Sequence, residues 1–100
     1  MFRFEKFDVW HKAIDFAEKV YSATSGFPTD ERFGLTGQMR RAAVSVSSNI
    51  AEGSSRSSDV DFARFLEIAY GSLMETVSQA VIAKKRALLP DEPLSPFGHL

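Results

Sequence analysis

The sequence predicts an all-α fold, an up-down antiparallel helical bundle in residues 1–89 followed by a proline-rich irregular tail in residues 90–100. Three observations predict it. Apolar residues recur with the period of an amphipathic helix in three segments, at about 8–25, 35–53 and 59–88. Short runs of Gly, Pro and Ser, which end helices, separate those segments. A composition of 44% hydrophobic and 25% charged residues matches globular chains and argues against wholesale disorder. One hundred residues make a single domain, near the size at which one core suffices.

The first helix carries its stripe at Val9, Ala13, Phe16, Val20 and Ala23, widened on one side by Trp10, Ile14, Ala17 and Tyr21. Asp8 is placed to cap its start, and Gly26-Phe27-Pro28 to stop it. A turn over residues 28–34 follows, with one helical turn capped by Thr29. The second helix buries Leu35, Met39, Ala42, Ala43, Val46 and Ile50, and its small residues Gly37, Ser45, Ser47, Ser48 and Ala51 allow a neighbouring helix to approach closely. Residues 53–58 read as a loop, in which Ser58 with Asp61 three residues on resembles a capping box.

The third helix is the longest, roughly 30 residues and ~45 Å. Phe62, Phe65, Leu66, Ala69, Leu73, Val77, Ala80 and Val81, flanked by Ala63, Tyr70 and Met74, cover close to half of its circumference. A face that wide touches two partners, the remaining helices of the bundle and a neighbouring subunit, so self-association is expected. Pro90, Pro93 and Pro96 then forbid a regular helix of any length.

Composition excludes several classes. There is no Cys, which removes disulfides, thiolate zinc sites and cysteine nucleophiles. The segment Met1-Phe2-Arg3-Phe4-Glu5-Lys6 lacks the apolar run of a signal peptide, and no stretch is apolar enough to cross a bilayer, so a cytoplasmic protein with no membrane partner is expected. A net charge of −1 gives no global field for gathering polyanions and leaves that work to local patches.

A family resemblance is carried by Phe27-Pro28, Glu31-Arg32-Phe33-Gly34-Leu35-Thr36 with Gln38, Arg40-Arg41-Ala42-Ala43-Val44-Ser45, Asn49-Ile50-Ala51-Glu52-Gly53, and Phe65-Leu66-Glu67-Ile68-Ala69 with Gly71-Ser72-Leu73 and Glu75. Over roughly residues 7–89 the chain resembles the four-helix-bundle proteins encoded by 23S rRNA intervening sequences. The resemblance implies a small bacterial cytosolic protein whose relatives form antiparallel four-helix bundles and assemble into five-membered rings. It also implies an association with RNA, since a related branch, the accessory proteins of diversity-generating retroelements, works with a reverse transcriptase and its RNA. Relatives continue into a fourth helix where this chain has its prolines, so an uncovered groove, filled by a neighbour or by the tail, is expected.

Candidate chemistry is sparse. Gln38, Arg41, Ser45, Ser48, Asn49 and Glu52 share one side of the second helix. They read either as a site where Arg41 and Glu52 act together or as a structural polar network, completed by Glu75, in which Asn49 fixes register; the network is preferred because no nucleophile has a base beside it. Asp8-x-x-His11 supplies half of a carboxylate-histidine metal pair, and His11 with Asp15 at i+4 reads better as solvated. The 53–58 loop with Arg56 precedes a helix N-terminus and suits an anion, although it lacks the Gly-Lys-Ser/Thr element of a nucleotide-binding loop and a plain connector is preferred. Trp10, Tyr21, Phe62, Phe65 and Tyr70 are read as core in preference to base-stacking platforms.

No catalytic residue, cofactor, metal ligand or small-molecule substrate is assigned. Arg40, Arg41, Arg56, Lys84, Lys85 and Arg86 are the candidate nucleic-acid contacts, weighed against ordinary solvated faces. The leading expectation is a non-enzymatic homo-oligomer, pentameric by resemblance, that acts as a scaffold for RNA or a ribonucleoprotein. The alternative is a protein-protein adaptor whose ring or exposed apolar groove binds a partner helix.

Overall fold

The computed structural model describes residues 2–89, so the tail at 90–100, with its expected irregular course and its candidacy as a groove filler, lies outside the described residues. In chain order there are a 3-10 turn at Arg3–Lys6, helix α1 (Asp8–Thr24), a second 3-10 turn at Thr29–Glu31, helix α2 (Leu35–Ser54) and helix α3 (Asp59–Lys85). No strand occurs among the described residues. The fold is therefore all-α, with three long helices among the described residues.

Local chemistry sets the helix ends. Phe7, not Asp8, is the N-cap of α1, and its carbonyl accepts from Trp10 and His11; Asp8 sits in the first turn, where a carboxylate favours the helix dipole. Thr24 closes α1 by donating to the Val20 carbonyl at 2.8 Å. Ser58 caps α3 as the sequence suggests, its hydroxyl accepting from the Asp61 amide at 3.1 Å. The other end of α3 differs: the helix stops at Lys85 rather than near 88. Ala87 takes the left-handed conformation (φ 61°), while the Leu88 amide reaches back to the Ala83 carbonyl and the Ala87 amide to that of Lys84. These two bonds form a Schellman cap without its usual glycine, which is why the sequence did not signal it.

The helices run antiparallel. Arg40, early in α2, meets Thr24 at the end of α1; Ser45 pairs with Ser72; Gly53 lies against Phe65; and Arg86 reaches Glu31. Helix α2 packs against both neighbours, whereas α1 and α3 bring no Cα pair within 8 Å of each other. All six predicted core residues of α2 are buried, with Met39 and Ile50 among the largest fully buried side chains. Each such side chain contributes roughly 1.5–3 kcal/mol of transfer free energy.

Helix α3 departs from expectation. It faces α2 with Ala69, Thr76, Gln79, Ala80 and Ala83, a small and partly polar surface, and leaves Leu66, Tyr70, Met74 and Val81 exposed. Val9 on α1 is exposed as well. Small residues let α2 and α3 close tightly, as at Gly53, which the sequence placed at the boundary of helix and loop and which is buried inside α2. Tyr21 and Tyr70, expected in the core, are 43% and 64% exposed.

Candidate nucleic-acid interface

Antiparallel packing sorts the predicted contact residues by position. The start of α2 and the end of α3 lie at the same end of the bundle, as the Arg86–Glu31 ion pair at 3.3 Å demonstrates. Arg40, Arg41, Lys84, Lys85 and Arg86 are consequently brought to one end. Arg56 is placed at the other, where its guanidinium pairs with Glu52 at 2.8 Å and stacks over the Phe65 ring at 4.7 Å.

Arg40 is held in place. Its Nε donates to Thr24 Oγ1 at 2.9 Å, another nitrogen donates to the Tyr21 carbonyl at 3.4 Å, and its Cζ stands 4.6 Å from the centre of the Tyr21 ring. Such a contact contributes about 0.5–1 kcal/mol at an exposed site. Arg41, on the next residue, is exposed and has no carboxylate within 4 Å among the described residues. Together with Tyr21, Val44, Ser45 and Ser48 the two arginines line an open recess of about 420 Å³.

The same end includes Arg32 and Phe33 in the connection between α1 and α2. The Arg32 Cζ lies 5.3 Å from the Phe33 ring centre, and Phe33 is 86% exposed. Sequence reasoning did not single out Phe33 as a contact, because periodicity says nothing about a loop residue. Within residues 25–41 and 82–89 six cations (Arg32, Arg40, Arg41, Lys84, Lys85, Arg86) stand against two carboxylates, Asp30 and Glu31, a net +4 in a chain whose total is −1. Glu31 is fully engaged, one oxygen accepting from the Leu35 amide at 3.1 Å and the other paired with Arg86. This end therefore carries a local positive excess that the whole chain lacks.

The predicted polar network forms in part and with different members. Asn49 Nδ2 donates to both the carbonyl and the hydroxyl of Ser45, and the Ser45 and Ser72 hydroxyls share a hydrogen bond at 2.9 Å between α2 and α3. Glu75 accepts from Gln79 at 3.2 Å, while Glu52 is taken up by Arg56. Gln38 and Arg41 are exposed and make no side-chain hydrogen bond to these residues among the described ones. Ser72 and Gln79 were missed because the breadth of the apolar face on the third helix hid which of its sides meets α2.

The remaining candidates hold no reactive arrangement. His11 is exposed, donates from Nε2 to the Glu5 carbonyl at 2.7 Å and lies edge-on to Trp10. No group of three His, Cys, Asp or Glu side chains that could hold a metal ion occurs among the described residues. No described helix is long and apolar enough to cross a membrane. An apolar groove lies between α1 and α3, floored by Val46 and Ile50 of α2 and walled by Val9, Phe16 and Leu73, with a volume of about 180 Å³.

A family model described as 23S rRNA-intervening sequence protein matches residues 5–98 of the chain. No curated protein matches it.

Proposed function

The chain belongs to the 23S rRNA-intervening sequence protein family, and from that premise we propose that it is a non-enzymatic, homo-oligomeric scaffold that holds RNA or a ribonucleoprotein in the cytoplasm, a pentamer by resemblance. The observation that carries this reading is the concentration of five of the six predicted contact residues at one end of the bundle, in a segment pair with a net charge of +4. Self-association is supported by Leu66, Tyr70, Met74 and Val81, exposed on one side of α3 within about 80° of one another at ~100° per residue. An oligomer would multiply a weak basic patch into a strong one by presenting several copies to one RNA.

The test is binding of the purified protein to a structured ribosomal RNA fragment over a salt series, with light scattering on the same sample. Affinity should fall steeply with salt, and neutralising an arginine that contacts phosphate should flatten the log-log slope by about one. Arg41→Ala is the clean variant, since Arg41 makes no interhelical bond among the described residues, whereas Arg40→Ala also removes a tie between α1 and α2. Binding that ignores salt and Arg41→Ala, or no binding at low salt, removes the reading.

The groove lined by Val9, Phe16, Val46, Ile50 and Leu73 favours a second reading, an adaptor that seats a partner helix. A partner held there would bind with little salt dependence and would be lost when Leu73 is replaced by Lys.

A further inference from the structure

We infer, resting on the nucleic-acid reading above, that the basic end of the bundle takes single-stranded RNA and grips its unpaired bases on Phe33 and Tyr21. The two rings share an arrangement. Each is exposed, each has a guanidinium over it, and each of those guanidinium groups lacks a carboxylate within 4 Å among the described residues.

Phe33 is 86% exposed with Arg32 on one side, an exposure that leaves the ring face away from Arg32 open to a flat ligand. Tyr21 is covered by Arg40, whose orientation is fixed by its bonds to Thr24 and to the Tyr21 carbonyl. A fixed guanidinium plane over a ring extends the stacking surface and adds a charge beside it. Arg41, which lines one recess with Tyr21 and Arg40, and Lys84 and Lys85, beside Arg86, supply further cations at the same end.

A duplex cannot use this surface well. Its bases hide their faces in the stack, and an A-form helix offers proteins mainly phosphates and a shallow groove. Unpaired bases present both faces, and an aromatic side chain accepts any of them, so recognition would be tolerant of sequence. The opposite end offers no equivalent. Arg3 is engaged over Phe7 and Phe62 with a bond to the Ser54 carbonyl and Arg56 on Glu52 and Phe65, Arg64 lies over no ring among the described residues, and residues 2–12 and 51–67 carry six carboxylates against five cations.

The experiment compares binding of a labelled short oligouridylate and a short RNA duplex by anisotropy, using the full chain and its Phe33→Ala and Phe33→Trp variants. The single strand should bind more tightly than the duplex. Phe33→Ala should weaken the single strand about five- to hundredfold with little effect on the duplex, and Phe33→Trp should restore it. Equal binding of strand and duplex, untouched by Phe33→Ala, overturns this inference and leaves the RNA scaffold standing. Failure of either RNA to bind at low salt overturns both. Loss of binding in Phe33→Ala that accompanies a fall in oligomeric mass also overturns it, and reassigns the ring to contact between subunits.

Discussion

Adding one methyl group at Gly53 or at Gly71 should move stability in opposite directions, and the comparison tests how closely α2 and α3 are packed. Both glycines lie within helices, where replacement by Ala ordinarily gains about 0.5–1 kcal/mol by restricting the unfolded chain and improving helix propensity. A Cβ on Gly71 would meet nothing within 4 Å, so the full gain should appear. A Cβ on Gly53 would stand 2.6 Å from Phe65 Cβ and 3.0 Å from Phe62 Cδ1. Carbon atoms rest at about 3.5–4.0 Å. Phe65 Cβ is fixed to its own backbone and cannot swing aside, so the two helices must part by roughly 1 Å, and overpacking of this kind costs about 1–3 kcal/mol. Helix propensity offsets part of that, leaving Gly53→Ala up to about 2.5 kcal/mol less stable than the parent. The propensity gain is common to both variants and cancels, so they should differ by the overpacking cost of about 1–3 kcal/mol, or roughly 4–24 °C in Tm for a domain of this size. Thermal unfolding followed by helical circular dichroism reads the difference, at one protein concentration because self-association makes Tm concentration-dependent. A Gly53→Ala protein that melts as high as Gly71→Ala would refute the close approach of the two helices.

Other perturbations have equally definite expectations. Ala87→Gly removes the cost of a left-handed alanine at the α3 cap and should raise stability by about 1 kcal/mol in urea unfolding, while an unchanged or lower midpoint would count against the cap. Ile50→Ala, at 2% exposure, should cost about 2–5 kcal/mol by the same assay, the spread reflecting how far the open groove beside it lets the site collapse. Ser58→Ala should cost about 1 kcal/mol through loss of the bond to the Asp61 amide, and a neutral result would deny that hydroxyl a capping role. Tyr70→Lys with Val81→Lys should lower the mass seen by light scattering while leaving helical content in place; retention of the parental mass would free the exposed side of α3 from any part in assembly.

Much of the fold is legible in the residues themselves. The apolar period of residues 35–53 picks out all six core positions of α2, because a helix at the centre of the bundle has one stripe and its neighbours cover it. Ser58 and Asp61 mark the start of α3 because capping is a local bargain between a hydroxyl and an amide three residues away. The pairing of Arg40-Arg41 with Lys84-Lys85-Arg86 as candidate contacts came from sequence alone, although their meeting at one end did not.

What the tertiary structure decided follows from packing, which no single helix contains. The apolar arc of α3 spans close to half its circumference, and sequence cannot say which part turns inward. The answer is the side with Ala69, Ala80 and Ala83, since small residues let α2 come close, and the larger Leu66, Tyr70 and Val81 are left outside. In the same way Tyr21 reads as core by its spacing, yet it is 43% exposed, and it is Arg40, sixteen to nineteen residues along the chain from its partners, that bonds to Thr24 and the Tyr21 carbonyl and lies over the ring. Helical periodicity is a property of a segment, so the sequence determined where the helices are and which faces are apolar. Which apolar face is covered depends on what lies opposite, and only the assembled bundle supplies that.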